Sequence, residues 1–174
     1  WNKNQQLLGE VIKVYMNDST IDWSHIIGQA LSVERVDSTI YNQVTGKEMK
    51  SYFTNGEMRK TEVIGSVRVV YYPMDSDSTL IGMNVSETSK LEIYLQDRKI
   101  ERMVMSPKSN GVLYPMSQIP AGKDRLENFV WFDYIRPQNK EDIFNWRGKK
   151  SGETLRKTTR KPVTSPKREL NKLN

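Results

Sequence analysis

The chain has 174 residues, no cysteine, one histidine, 36% apolar residues and a formal net charge of +6. That length fits one domain with a tail, and the missing thiols exclude a disulfide framework or a thiolate metal site. The charge is local: residues 147–174 hold ten Lys or Arg against Glu153 and Glu169, which leaves 17 basic and 19 acidic residues elsewhere.

Residues 1–8 read as the completion of a unit that begins upstream. Between 9 and 116 three copies of one pattern follow: Ile12-Lys13-Val14-Tyr15-Met16, Met49-Lys50-Ser51-Tyr52-Phe53 and Leu91-Glu92-Ile93-Tyr94-Leu95. Each places apolar or small residues first, third and fifth and a Tyr fourth. A polar turn comes next (Asn17-Asp18, Asn55-Gly56, Asp97-Arg98), then an apolar residue at Ile21, Met58 or Ile100. Seven residues on stands a breaker, Gly28, Gly65 or Pro107. Spacings of 37 and 42 residues mark stacked units that bury their faces against neighbours. The period of two makes the units β, and Asn55-Gly56 predicts a hairpin.

A loop at 73–78 lengthens the second copy. Asp18, Asp37 and Asp77 each open an Asp-Ser-Thr run, which reads as turn entry rather than metal ligation. The stretch Ser106-Pro107-Lys108-Ser109-Asn110-Gly111 is expected to end the repeats, with Pro115 and Pro120 keeping the next segment extended.

Residues 123–146 change character. Leu126, Phe129, Val130, Trp131, Phe132, Tyr134 and Ile135 suggest a short helix that Pro137 stops, with a second turn over 140–146. The expected role is a cap across one open end of the strand stack; the alternative is a docking surface. The tail 147–174 has the composition of a disordered segment, either solvated or drawn to anionic phosphates or a membrane surface. It carries no aromatic residue for base stacking, so no nucleic-acid partner is expected. The domain reading is therefore 1–122, 123–146 and 147–174.

No catalytic constellation emerges. His25 sits in a strand pattern without a second His or a Cys for a triad or metal cluster. Asp133, Glu141 and Asp142 do not converge by spacing, and the glycines stand singly rather than as a phosphate loop. The sequence reads as a non-enzyme with no cofactor and no metal. What it does supply is an apolar ladder: Ile12, Val14 and Met16, then Met49, Ser51 and Phe53, then Leu91, Ile93 and Leu95, on one strand face. The ladder is a closed core if a second sheet packs on it, and a greasy groove if the sheets splay.

Several stretches resemble the OstA-like proteins of Bacteroidota, relatives of the lipopolysaccharide transport protein LptA. They are Val44-Thr45-Gly46-Lys47-Glu48-Met49, Asn55-Gly56-Glu57-Met58, Val63-Ile64-Gly65, Tyr71-Tyr72-Pro73 and Ile81-Gly82-Met83-Asn84. Further on come Leu113-Tyr114-Pro115, Gln118-Ile119-Pro120, Trp131-Phe132-Asp133-Tyr134-Ile135-Arg136-Pro137 and Asp142-Ile143-Phe144. The likeness spans about residues 9–147 and is similar to the C-terminal portion of a longer OstA-like chain.

The resemblance implies an all-β fold of stacked antiparallel strands in two sheets, an open V-shaped β-jellyroll. It implies a periplasmic place in the cell envelope and a groove that shields the lipid A acyl chains of lipopolysaccharide. It also implies edge-strand pairing with other envelope transport proteins in a bridge to the outer membrane. In that setting Lys47, Arg59 and Lys60, near strand ends, are candidate rim cations for lipid phosphates. Solvated faces and edge protection are their plainer reading. Two other functions remain open: an envelope module that docks partner proteins by strand addition, and a polyanion binder led by the tail.

Overall fold

The computed structural model describes residues 1, 4–97, 99–139 and 141–145. The basic tail, with the disorder expected of it, lies outside the described residues. Seven strands run in chain order: β1 (Gln5–Leu8), β2 (Val11–Asn17), β3 (Thr20–Arg35), β4 (Tyr41–Thr54), β5 (Glu57–Tyr71), β6 (Gly82–Gln96) and β7 (Lys99–Pro115). They form one antiparallel sheet in the order β1-β3-β4-β5-β6-β7, with β2 beside β1 on the same flank of β3.

The three repeats are hairpins. β2–β3, β4–β5 and β6–β7 each turn through two residues, with Asp18, Asn55, Gly56 and Asp97 in the left-handed region. Right-twisted strands join most readily through such mirror-image turns, which is why Asn, Asp and Gly stand there. Just before each turn the register slips, at Tyr15/Met16, Tyr52/Phe53 and Tyr94/Leu95, so the repeated Tyr marks a bulge.

The breakers form a second common level. Register shifts at Ile27/Ala30, Thr45/Glu48, Ile64/Val67 and Thr88/Lys90 line up into a seam across the sheet. In β3 and β5 the seam is a pair of left-handed residues, Gly28-Gln29 and Gly65-Ser66. A side chain at Gly65 would be strained at φ +86° and would press into the stem of Lys47. At Gly46, in the neighbouring strand, a Cβ would stand 2.6 Å from Val63 Cγ1. The two expected sheets are thus two halves of one sheet bent along this seam. We call them the hairpin half, which holds the three turns, and the distal half.

Ser106 to Gly111 does not end the repeats, because β7 runs through them to Pro115. Its polar residues on both faces conceal the strand from periodicity, since one edge of the sheet is solvated there. Pro107 is tolerated because an edge strand can forgo one donor.

One core cluster lies inside the bend. Ile26, Met49, Val63 and Leu91 of the hairpin half meet Val69, Leu7, Val44 and Tyr71 of the distal half. A second cluster lies on the outer face of the distal half, where Leu31, Val33, Val70 and Met83 are covered by Leu126, Ile119, Phe129 and Trp131. The aromatic segment therefore packs across an outer sheet face and not across an end of the stack. Among the described residues its backbone pairs with no strand. No helix runs over Leu126–Ile135; one 3-10 turn spans Asp133–Ile135, just ahead of Pro137, and a second spans Glu141–Phe144. The segment reaches β1, β3, β4 and β5 through bends and a turn closed by Phe129 N donating to Leu126 O, so its apolar residues follow points on the sheet and not one helix face.

Two buried glutamines fasten it. Gln6 donates to Val130 O (2.9 Å) and accepts from Phe132 N (2.7 Å). Gln43 donates to Asp124 O (2.7 Å) and accepts from Leu126 N (2.8 Å). Each amide matches the donor–acceptor pair of an extended backbone, which would otherwise be buried without partners.

Candidate functional site: a cleft between the sheet halves

Residues paired across antiparallel strands share a face. One inner row of the hairpin half therefore reads Ile12, Ile26, Met49, Val63, Leu91 and Met105. The next row, toward the turns, reads Val14, Ser24, Ser51, Thr61, Ile93 and Met103. Alternation along each strand adds Met16, Phe53 and Leu95 to the same face. All nine ladder residues expected from the sequence thus share the inner face, but their exposure divides them.

Beside the seam the bend is closed: Met49, Ser51 and Leu91 are no more than 2% exposed and form ordinary core. Toward the turns the halves separate around a cavity of about 330 Å³, within the size range of small-molecule sites. Met58, Ile93, Leu95, Ile100 and Met103 line its hairpin-half wall. Val44, Val69 and Tyr71 line the facing wall. On edge strand β2, Ile12, Val14 and Met16 are half exposed, at 50%, 51% and 57%, because no distal strand covers them. Groove and core are therefore both present, at different depths of one bend.

Sequence reasoning missed the facing wall. Val44, Val69 and Tyr71 alternate correctly for an inner face, but nothing local says that the sheet folds back on itself. The lip of this wall is polar. Gln5 donates to Ser32 Oγ (2.8 Å), and Asn42 donates to Glu34 Oε2 (3.1 Å), with all four residues lining the cavity. Burial raises the Tyr71 phenol pKa, and the nearby Glu34 carboxylate adds to it.

The three candidate rim cations do not assemble. Lys60 pairs across the strands with Tyr52 and Tyr94 on the outer face, where it meets Glu62 (2.6 Å) and Glu92 (3.0 Å). It is not a rim residue, because the bulge at Tyr52/Phe53 sets the side on which it emerges. The stem of Lys47 lies over Gly65 at the bend. Arg59 stays by the turn, paired with Glu57 at 3.0 Å.

The outer face of the hairpin half carries its own ladder. Tyr15 stacks on Trp23 at 3.9 Å, Trp23 faces Tyr52, and Lys60 and Arg102 flank Tyr94. His25 Nε2 meets Glu48 at 2.6 Å in the same surface, a structural pairing. Hydrogen bonds that Lys60 donates to Glu62 and then Glu92 raise its pKa. Those from Lys60 and then Lys90 pull Glu92 down to about 2.

A carboxylate depressed by folding stabilises the native state above its unfolded pKa and loses that contribution as pH falls through the folded value. Urea melts should therefore show stability falling between about pH 4.5 and 2. Glu92→Gln should flatten that part of the profile, and an unchanged slope would remove Glu92 as its source. High salt should shrink the effect, since the network is solvent-accessible.

Among the described residues no cluster of three or more His, Cys, Asp or Glu side chains has the arrangement of a metal site. Among the described residues no helix is long and apolar enough to cross a membrane, which says nothing of a β-barrel. No family model matches the chain, and no curated protein matches it.

Proposed function

We propose that this chain is a cell-envelope lipid carrier of the lipopolysaccharide-transport type, holding acyl chains in the cleft between its sheet halves. The observation that carries the reading is the division of the inner face, closed beside the seam and open toward the turns along an apolar wall. Each methylene moved from water into such a wall gains about 0.8 kcal/mol. Carrying a lipid this way requires shape and apolar surface and no reacting groups. The identity of the lipid, the periplasmic setting and the kinship with OstA-like proteins rest on the sequence resemblance and are part of the proposal.

Among the described residues no strand pairs with the outer edge of β2, which favours a second reading. Its exposed Ile12, Val14 and Met16 are the side chains that an added strand of a partner protein would cover.

Leu95→Asp separates the two. It places a charge in the cleft wall, near the turn, at a half-buried position. The variant should keep its strand signal in circular dichroism and lose lipopolysaccharide binding, read as displacement of a fluorescent acyl-chain probe. Full binding by a folded Leu95→Asp would dismiss the cleft as the lipid site.

A further inference from the structure

We infer that the cleft selects amphiphiles whose head group presents hydrogen-bond donors, hydroxyl or amine, and excludes a phosphate from its lip. The inference rests on the lipid-carrier reading and specifies the ligand class of that same site. Among the described residues, those lining the cavity include two acids, Glu34 and Glu57, and no base. Glu57 is matched by Arg59. Among the described residues Glu34 has no ion-pair partner; Asn42 donates to one of its oxygens, and the carboxylate stands on the exposed side of the lip.

Around Glu34 the lip presents one charged acceptor, the carboxylate, beside neutral groups, Gln5 and Asn42 each keeping one amide N–H. The carboxylate has lone pairs beyond the one that Asn42 uses, and Gln5 keeps its amide oxygen. The Ser32 hydroxyl, already accepting from Gln5, is left to donate or accept once more. A sugar hydroxyl or an ammonium group brings the donors that the carboxylate lacks. A phosphate brings only acceptors and a second negative charge. Like charges this close repel, which disfavours a phosphate beside the carboxylate. Lys60, one of the three cations expected to answer such a charge, is turned to the outer face and already meets two carboxylates. A phosphorylated lipid therefore seats its chains in the cleft with its phosphates held away from Glu34.

The test compares three amphiphiles with one decyl chain, an alkyl glycoside, an alkylammonium and an alkyl phosphate, each below its micelle concentration. Binding is read as displacement of a fluorescent acyl-chain probe from the full chain. The glycoside and the ammonium should bind, with the phosphate at least ten-fold weaker. Glu34→Gln should bring the phosphate to within a few-fold of the glycoside and weaken the ammonium. Glu34 is exposed at the lip, so the variant should fold, which circular dichroism checks. Phosphate binding as tight as the glycoside, or a preference unchanged in Glu34→Gln, would overturn the inference and leave the lipid cleft standing. Failure of all three amphiphiles to displace the probe would overturn the cleft reading, and this inference with it.

Discussion

Leu91→Asp is expected to unfold the chain, whereas Val14→Asp leaves it folded. Both residues belong to the same repeated ladder and point to the same face, so periodicity treats them alike. The bend separates them. Leu91 is fully buried beside the seam, between Val63 and Met105 on the adjacent strands. A carboxylate there has no cation and no water, and the cost after relaxation is several kcal/mol. That rivals the roughly 5–15 kcal/mol that holds a domain together. Leu91→Ala should cost less, about 2–5 kcal/mol, since it leaves a cavity but no charge. Val14 lies on an edge strand, 51% exposed, and its replacement should cost about 1 kcal/mol or less. Urea melts followed by circular dichroism measure all three. A folded Leu91→Asp would mean that water reaches the seam and that the bend is open along its whole depth.

The repeat unit was legible because its two punctuation marks are backbone events. Turn residues at Asn17-Asp18, Asn55-Gly56 and Asp97-Arg98 announce the hairpins. The breakers Gly28, Gly65 and Pro107 announce the seam, although their spacing alone does not say that three local bends add up to a folded sheet. The strand face of each ladder residue followed from period two. Depth did not: Met49 and Ile12 have identical positions in the pattern, yet one is core and the other half exposed. Depth depends on which distal strand lies opposite, a contact between residues far apart in sequence.

The segment after Pro115 was misread for a related reason. Spacings of three and four among Leu126, Phe129 and Val130 mimic a helix, but their partners are fixed points on a sheet. The segment meets them through bends and a turn at Leu126–Phe129, a path that no single helix axis follows. The useful signal lay elsewhere, in Gln6 and Gln43. A glutamine at a core position of a strand needs partners for both ends of its amide, and an extended peptide crossing over it provides them.

That dependence sets the last expectation. Gln6→Leu should release the crossing segment, because Gln6 is the partner the structure gives to both Val130 O and Phe132 N. Leaving a buried polar group unpaired costs about 1–3 kcal/mol, and two are exposed to that cost here. Gln43→Leu should cost less. Its loss orphans Leu126 N–H, while Asp124 O keeps the Arg125 guanidinium at 2.8 Å. The double variant should cost less than the two singles together, since a segment already lifted at one end has little left to lose at the other. Hydrogen exchange should then rise across 124–132 and stay low at Val63 and Leu91, inside the bend. Full protection of 124–132 in Gln6→Leu would show that apolar contacts alone hold the segment. A uniform rise over all strands would show instead that the crossing segment and the folded sheet form one cooperative unit.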